Sequence, residues 1–362
     1  MTDRRAKRIA AVVASMDGLN LDALLLTGSA NIRYLTGFSG SSALALVTIR
    51  EVVLITDARY ETQAVDQAGA VARIDIQPQS LWAGLWPRIA AATGVHVIGF
   101  EASHLMHRDF QRLLESGSRW QWRPTTDIVE VLRERKDPEE VAAIRRAGEM
   151  ATKALESVLS RVAPGMTELA VAGMLEKALR DEGSEAFPFP TIVASGPRSA
   201  LPHAGSSVRA IEAGDLVLMD FGAQAGGYCS DVTRTVVIGR ADARQREIHD
   251  IVREAQAEAL AGVRAGITGQ AADALARDYI DRRGFGARFQ HSLGHGLGLE
   301  VHEAPRLSRQ ADAILPTDAV VTIEPGIYEP GWGGVRIEDD VHLGHAGSEV
   351  LTHFTRELLE VA

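Results

Sequence analysis

The 362-residue chain is 46% hydrophobic and 24% charged, an ordinary composition for a folded chain holding two domains or one large one. Its formal charge of −10 argues against nucleic acid as principal partner. No apolar run approaches the roughly 18 residues of a membrane span, Asp17 and Gly18 interrupt the only stretch resembling a signal peptide, and the single cysteine, Cys229, excludes an internal disulfide and fits a reducing cytoplasm.

The chain opens on an amphipathic helix with the apolar stripe Ile9, Val12, Val13 and Met16, and the basic run "RRAKR" at residues 4 to 8 reads as its solvated face. Strand-like runs follow: "LDALLLTG", "SALALVTI" joined by a short turn to "EVVLITD", then "ARIDIQ" and "VHVIGFE", with helical stretches between them. This pattern predicts an α/β unit around a central sheet. Long amphipathic helices then take over, with Asp137 at an N-cap position and Pro138 at the first helical position. The change of character puts a boundary within residues 124 to 137 and gives two expected domains, 1–126 and 127–362. There is no short-period repeat and no low-complexity tract.

Two strand-rich blocks in the second part carry acidic residues inside apolar runs. In "DLVLMDFGAQAGGYCSDVTRTVVIG" the glycine-bearing turn marks a hairpin. A loop at Ala225 and Gly226 sets Asp220 directly opposite Asp231, whereas a loop at Gly226 and Gly227 leaves them diagonal on one face. An aspartate beside a turn is ordinarily a cap or a solvated tip. Here each sits within its strand run, and like charges facing each other destabilise unless a cation lies between them. The block "AVVTIEPGIYEPGWGGVRIEDDVHL" repeats the device with Glu324 and Glu338 around "PGWGG". Cys229 shares strand parity with Asp231, although a small buried thiol is the plainer reading of it.

Between these blocks lies "HSLGHGLGLEVHE", residues 291 to 303. Gly294, Gly296 and Gly298 each weaken a helix by about 1 kcal/mol relative to alanine, so an extended or looped backbone is expected. In a strand His291 and His295 share one face, and His302 takes the other unless the chain bends. Four carboxylates with one imidazole suit two divalent cations about 3.5–4 Å apart sharing a bridging hydroxide. Such an oxygen-rich set favours manganese or cobalt-like ions over a thiolate-type zinc.

The ordered set "LPHAG", "DFG" with "SDVTRT", "GHGLGLEVHE", "IEPGIY" and "VRIEDD" resembles the pita-bread metallopeptidases, and "NIRYLTGFSGSSA" with "TDARY" resembles their creatinase-like N-terminal domain. The likeness spans nearly the whole chain and points to the Xaa-Pro peptidases, prolidase and aminopeptidase P. It implies an α/β N-terminal domain followed by an α+β pita-bread catalytic domain. It also implies that Asp220, Asp231, His295, Glu324 and Glu338 bind two divalent ions, with Asp231 and Glu338 bridging. Manganese is the expected metal, with cobalt or zinc as alternatives. His291 and His302 become substrate-pocket residues, and His203 and His302 flank the scissile carbonyl. Arg336 orients the metal-site carboxylates.

The implied chemistry is metal-assisted hydrolysis of an Xaa-Pro bond in dipeptides or short peptides, with Glu324 carrying a proton towards the leaving proline nitrogen. Chain length favours the dipeptidase over the aminopeptidase, whose choice is expected to rest on N-terminal-domain loops near a partner subunit. A homodimer is implied as well. Creatine amidinohydrolase shares the layout but lacks this metal set. Non-catalytic members of the fold have lost ligands, and methionine aminopeptidase lacks the long N-terminal part. For Arg336 a charge-balancing role beside a ligand is compatible with the expected one. For His291, a wall packed against proline and a direct hydrogen bond to substrate both stand open.

Overall fold

The computed structural model describes residues 3–361. Its contacts divide the chain after Arg133 into two compact units. The division lies beyond the 126/127 position drawn from composition, because the short helix Glu130–Arg133 is tied back to the first unit: Arg133 Nη1 donates to Asn31 Oδ1 at 2.7 Å and Tyr34 donates to the Leu132 carbonyl at 3.1 Å.

The first unit holds a six-stranded sheet in the order Arg73–Gln77, Val52–Asp57, Ala43–Thr48, Ala23–Leu26, Val97–Glu101, Gln121–Thr125. Ala43–Thr48 runs antiparallel to both neighbours, and the other pairings are parallel. The central strand "ALLL" is buried throughout, as a strand covered on both faces requires. The outermost strand "QWRPT" lacks an apolar run and contains Pro124, which an edge tolerates and a sequence pattern conceals. The basic run in the first helix is only partly solvated. Arg8 is buried, lies 3.9 Å over the Tyr34 ring and donates to the Tyr34 carbonyl, while Arg5 donates to the carbonyls of Thr36 and Gln67.

The second unit is built twice from the same parts. Each half begins with a helix capped by an aspartate in a capping box, Asp137 with Glu140 and Asp242 with Gln245. Each continues through a glycine at φ +89°, Gly165 or Gly266, to a second helix capped by Thr167 or Thr268. A hairpin then packs on each helix pair. Leu216–Phe221 with Val232–Ile238 belongs to a four-stranded sheet, and Ala319–Ile323 with Asp339–Gly344 to a five-stranded one.

The two-residue period of these strands decides where the carboxylates point. Val217, Met219, Phe221, Val232 and Val236 pack into the core around the helices Pro138–Leu159 and Glu168–Asp181. Val321, Ile323, Val341 and Leu343 do the same around Ala243–Gly262 and Gly269–Arg282. Asp220, Asp231, Glu324 and Glu338 have the opposite parity and leave the helix-covered faces. The two hairpins meet through an isolated bridge between Thr233 and Glu338. No helix of the described residues is long and apolar enough to cross a membrane.

Candidate active site

The first acidic hairpin turns at Gly226 and Gly227, both at positive φ. This is the later of the two loop placements, so Asp220 lies opposite Thr233 and Asp231 is its diagonal neighbour. In the second hairpin the ladder runs from Ile323↔Asp339 to Gly326↔Arg336, which sets Glu324 opposite Glu338. Asp231, His295 and Glu338 each offer a ligand atom within 4.8 Å of the others'. Glu324 Oε1 lies 3.4 Å from His295 Nε2, and Asp220 Oδ2 is paired with Arg336 Nη2.

His295 sits in the short strand Gly294–Gly296, whose glycines are dictated by close packing. A Cβ on Gly294 would lie 1.9 Å from the Thr322 carbonyl oxygen, and one on Gly296 would lie 2.1 Å from that of Ala304. The pairing of this strand with Glu303–Leu307 shifts register after His295. The bend brings the His302 ring to 4.4 Å from the His295 ring, on the side that a regular strand would deny it.

Both ring nitrogens of His291 are engaged inside the protein. Nδ1 faces the Ser292 carbonyl at 2.8 Å and Nε2 faces the Tyr328 hydroxyl at 2.9 Å. These two contacts hold the ring in place on the cavity wall. Burial, with Arg336 adding, pushes His291 down to about 3.

The electrostatics of the cluster are those of anions lacking cations. Asp231 and Glu338 are pushed well above the ordinary carboxylate range, first by burial and then by neighbouring carboxylates. Burial raises Glu324 to about 8, with Arg336 opposing and Asp220 adding. Asp220 Oδ1 and Asp231 Oδ1 are buried without a hydrogen-bond partner among the described residues. His295 is pushed down to about 4 by burial and by His302. Its Nδ1 lies 3.0 Å from the Gly296 carbonyl, which selects the Nδ1–H tautomer and leaves the Nε2 lone pair facing the carboxylates. Unpartnered buried carboxylate oxygens beside a neutral imidazole with a free lone pair form a donor set that fits divalent cations.

A cavity of about 630 Å³ opens onto this cluster, and His203, Asp220, Asp231, His291, His295, His302, Glu324, Arg336 and Glu338 all line it. Cys229 does not line it; its buried thiol, raised to about 12 chiefly by burial, faces the Leu299 carbonyl at 3.9 Å.

Family models match in the same order. The creatinase/prolidase N-terminal domain matches residues 8–135, and metallopeptidase family M24 matches residues 142–345. The chain belongs to metallopeptidase family M24. Divalent metal ions therefore belong to its chemistry, and the pita-bread fold is its catalytic architecture. An Xaa-Pro dipeptidase of Pyrococcus horikoshii is 36% identical over 355 residues, covering 98% of this chain and 99% of the relative. A solved Xaa-Pro dipeptidase from Bacillus anthracis superposes with a TM-score of 0.94 at 39% identity, covering 99% and 100% of the two chains. An X-Pro aminopeptidase from Thermotoga maritima gives 0.91 at 36% identity, covering 98% and 99%.

Sequence reasoning missed the residues that hold this M24 site in shape. Thr233 Oγ1 donates to Glu338 Oε2 at 2.6 Å and accepts from Arg336 Nε at 3.0 Å. Arg336 Nη1 donates to the Tyr328 hydroxyl at 2.8 Å, and Asp340 Oδ2 accepts from the Asp231 amide at 3.1 Å. Arg306 lines the cavity, and its side chain makes no hydrogen bond or ion pair among the described residues. Strand parity with Asp231 was the available signal for Thr233; for Arg306 the sequence offered none.

Proposed function

We propose that this protein is a dinuclear Xaa-Pro dipeptidase, in which Asp220, Asp231, His295, Glu324 and Glu338 would hold two divalent ions. The observation that carries the reading is the buried carboxylate cluster with unpartnered oxygens facing one neutral histidine. The names of full-length relatives support the substrate class. Divalent ions held there supply Lewis acidity and make water nucleophilic near neutral pH. Manganese suits the oxygen-rich donors best, with cobalt or zinc as alternatives.

The remaining chemistry belongs to side chains. Glu324, on the cavity wall beside His295, takes a proton from water and passes it to the leaving proline nitrogen. His203 and His302 stand in the cavity wall as donors to the developing oxyanion. Arg336 restrains Asp220 directly and Glu338 through Thr233. His291, fixed by Ser292 and Tyr328, forms a rigid wall against which a proline ring packs. Arg306 is an uncommitted guanidinium in the same cavity, suited to the free carboxylate of a dipeptide. We further propose a homodimer in a reducing cytoplasm, which suits a chain whose one cysteine is buried and unpaired.

The test is hydrolysis of Gly-Pro by protein reloaded with manganese after chelation and dialysis. Release of proline only after reloading is expected. Full activity of the chelated protein counts against the metal assignment, and inertness of the loaded protein towards all Xaa-Pro peptides counts against the substrate class.

A further inference from the structure

A second cavity, of about 440 Å³, lies across the His291–Ser292 wall from the catalytic one, and both residues line both spaces. Its far side is formed by Ser308, Arg309 and Gln310, in the turn that follows the strand Glu303–Leu307, on which Arg306 lines the catalytic cavity. The dividing wall is rigid. Arg277 donates to the Phe289 carbonyl at 2.9 Å and to the His291 carbonyl at 2.7 Å, and its charge is balanced by Asp273 at 2.5 Å.

The charge of this space is unusual for the molecule. The chain carries −10 overall, yet no aspartate or glutamate lines the second cavity, whose two cations are Arg277 and Arg309. Arg277 is committed to Asp273 and the wall. Arg309 is exposed and makes no hydrogen bond or ion pair among the described residues. The lining thus offers one available guanidinium with glutamine and serine side chains beside it, a set that fits an extended peptide ending in a carboxylate.

We propose that the second cavity receives the residues that follow proline in substrates longer than a dipeptide, with Arg309 binding their free C-terminal carboxylate. This rests on the Xaa-Pro reading of the catalytic cavity. Dipeptides end on Arg306; longer peptides cross the His291–Ser292 wall and end on Arg309. Tolerance of longer peptides is on this account a property of the catalytic unit's own surface.

Binding of product-like peptides tests this without turnover. Titration calorimetry on the manganese-loaded full chain compares proline, Pro-Ala-Ala, Pro-Ala-Ala-Ala and the C-terminal amides of the two peptides. The free acids are expected to bind about fivefold more tightly than their amides, the scale of an exposed ion pair. Arg309→Gln should abolish that difference while leaving proline affinity and Gly-Pro hydrolysis at wild-type values. Equal binding of acid and amide by the wild type, or a preference that survives Arg309→Gln, overturns the proposal. So does inorganic phosphate displacing Pro-Ala-Ala at comparable concentration, because that marks a general anion site. Failure of the Xaa-Pro reading is distinguishable: the loaded protein then leaves Gly-Pro intact whatever the calorimetry gives.

Discussion

Each unit of the molecule brings two carboxylates and a histidine within 4.8 Å: Glu101, His104 and Glu130 in the first, Asp231, His295 and Glu338 in the second. The first cluster is fully served by protein donors. Glu101 Oε2 accepts from the amides of Thr27 and Gly28, Asn31 Nδ2 bonds both Glu101 and Glu130, and His104 bonds Glu130. In the second, Asp231 Oδ1 has no hydrogen-bond partner among the described residues, and His295 Nε2 lies 3.4 Å from a Glu324 oxygen and 3.8 Å from one of Asp231. The pKa directions follow. Burial pushes Glu130 up, but the bonds from Asn31 and His104 outweigh it and leave it below its ordinary value, whereas Asp231 and Glu338 stay well above theirs. Composition and proximity are alike in the two clusters, so the donors that are missing, and not the acids that are present, distinguish a metal site from a structural knot.

The largest expected effect breaks the likeness between the clusters. Asp231→Asn or Glu338→Gln should lower turnover by more than about 10³-fold, because in the proposed centre each supplies a charge shared by both ions, and bound metal should fall in parallel. Glu101→Gln should leave metal content and turnover unchanged and lower the melting temperature by a few degrees, the result of losing about 1–3 kcal/mol of charged hydrogen bonding. Metal analysis, turnover and calorimetry on the three variants decide it. A loss of metal in Glu101→Gln would erase the distinction.

Next in size are His203→Ala and His302→Ala, each expected to lose about 10²–10³-fold in turnover with metal stoichiometry and melting temperature unchanged. Both side chains are exposed on the cavity wall, so a core role predicts the reverse: normal specific activity per folded molecule and a lower melting temperature. His291→Ala should cost less than the bridging variants and act on substrate placement. Thr233→Val sharpens the comparison from another side. It removes the one hydroxyl joining Glu338 to Arg336, and a 10–100-fold loss in metal affinity or activity is the usual consequence of deleting such a support. Wild-type affinity in Thr233→Val would assign the restraint of Glu338 to the backbone bridge and to the direct Arg336 ion pair at 4.0 Å.

How far the sequence foretold these two clusters follows from how each is assembled. Asp220, Asp231, Glu324 and Glu338 were legible because alternation within apolar runs is a local signal, and each pair is joined by a short turn. The glycines around His295 excluded a helix, yet the register shift that turns His302 towards His295 depends on a partner strand the motif does not contain. The first cluster was invisible: Asn31, Glu101 and Glu130 come together only through parallel strand crossings. The repeated acidic hairpin is legible in the sequence, but the duplication of the helix pairs that carry it is not, since the halves share caps and a turn glycine and little continuous sequence. Arg5 and Arg8 show the limit of reading charge runs, because long side chains bury their stems and find carbonyls that no pattern announces.

The smallest effect is one of sign. A carboxylate whose folded pKa is raised binds its proton more tightly in the folded state, so its contribution to stability falls as pH rises from the unfolded value through the folded one. In the metal-free protein Glu324 titrates between its ordinary 4.5 and about 8, and Asp231, Glu338 and Asp340 shift in the same direction. Glu130 has the opposite sign: its lowered pKa contributes stability above 4.5 that is lost only as pH falls below it. Between pH 5 and pH 6.5 the buried His249, His291 and His295 oppose these carboxylates, because their lowered pKa values add stability as pH rises towards the ordinary 6.5; between pH 7 and pH 8 the raised carboxylates of the second cluster dominate. The melting temperature of metal-free protein should decline across that interval, and Glu324→Gln should make the decline shallower. Manganese should raise the melting temperature most at pH 8, where the carboxylates no longer have to release protons to bind it. Scanning calorimetry at pH 7, 7.5 and 8, with and without manganese, reads all three. A metal-free melting temperature that is flat or rises across the interval would show that the second cluster finds donors in solution much as the first finds them in the chain, and the contrast between the two would then be lost.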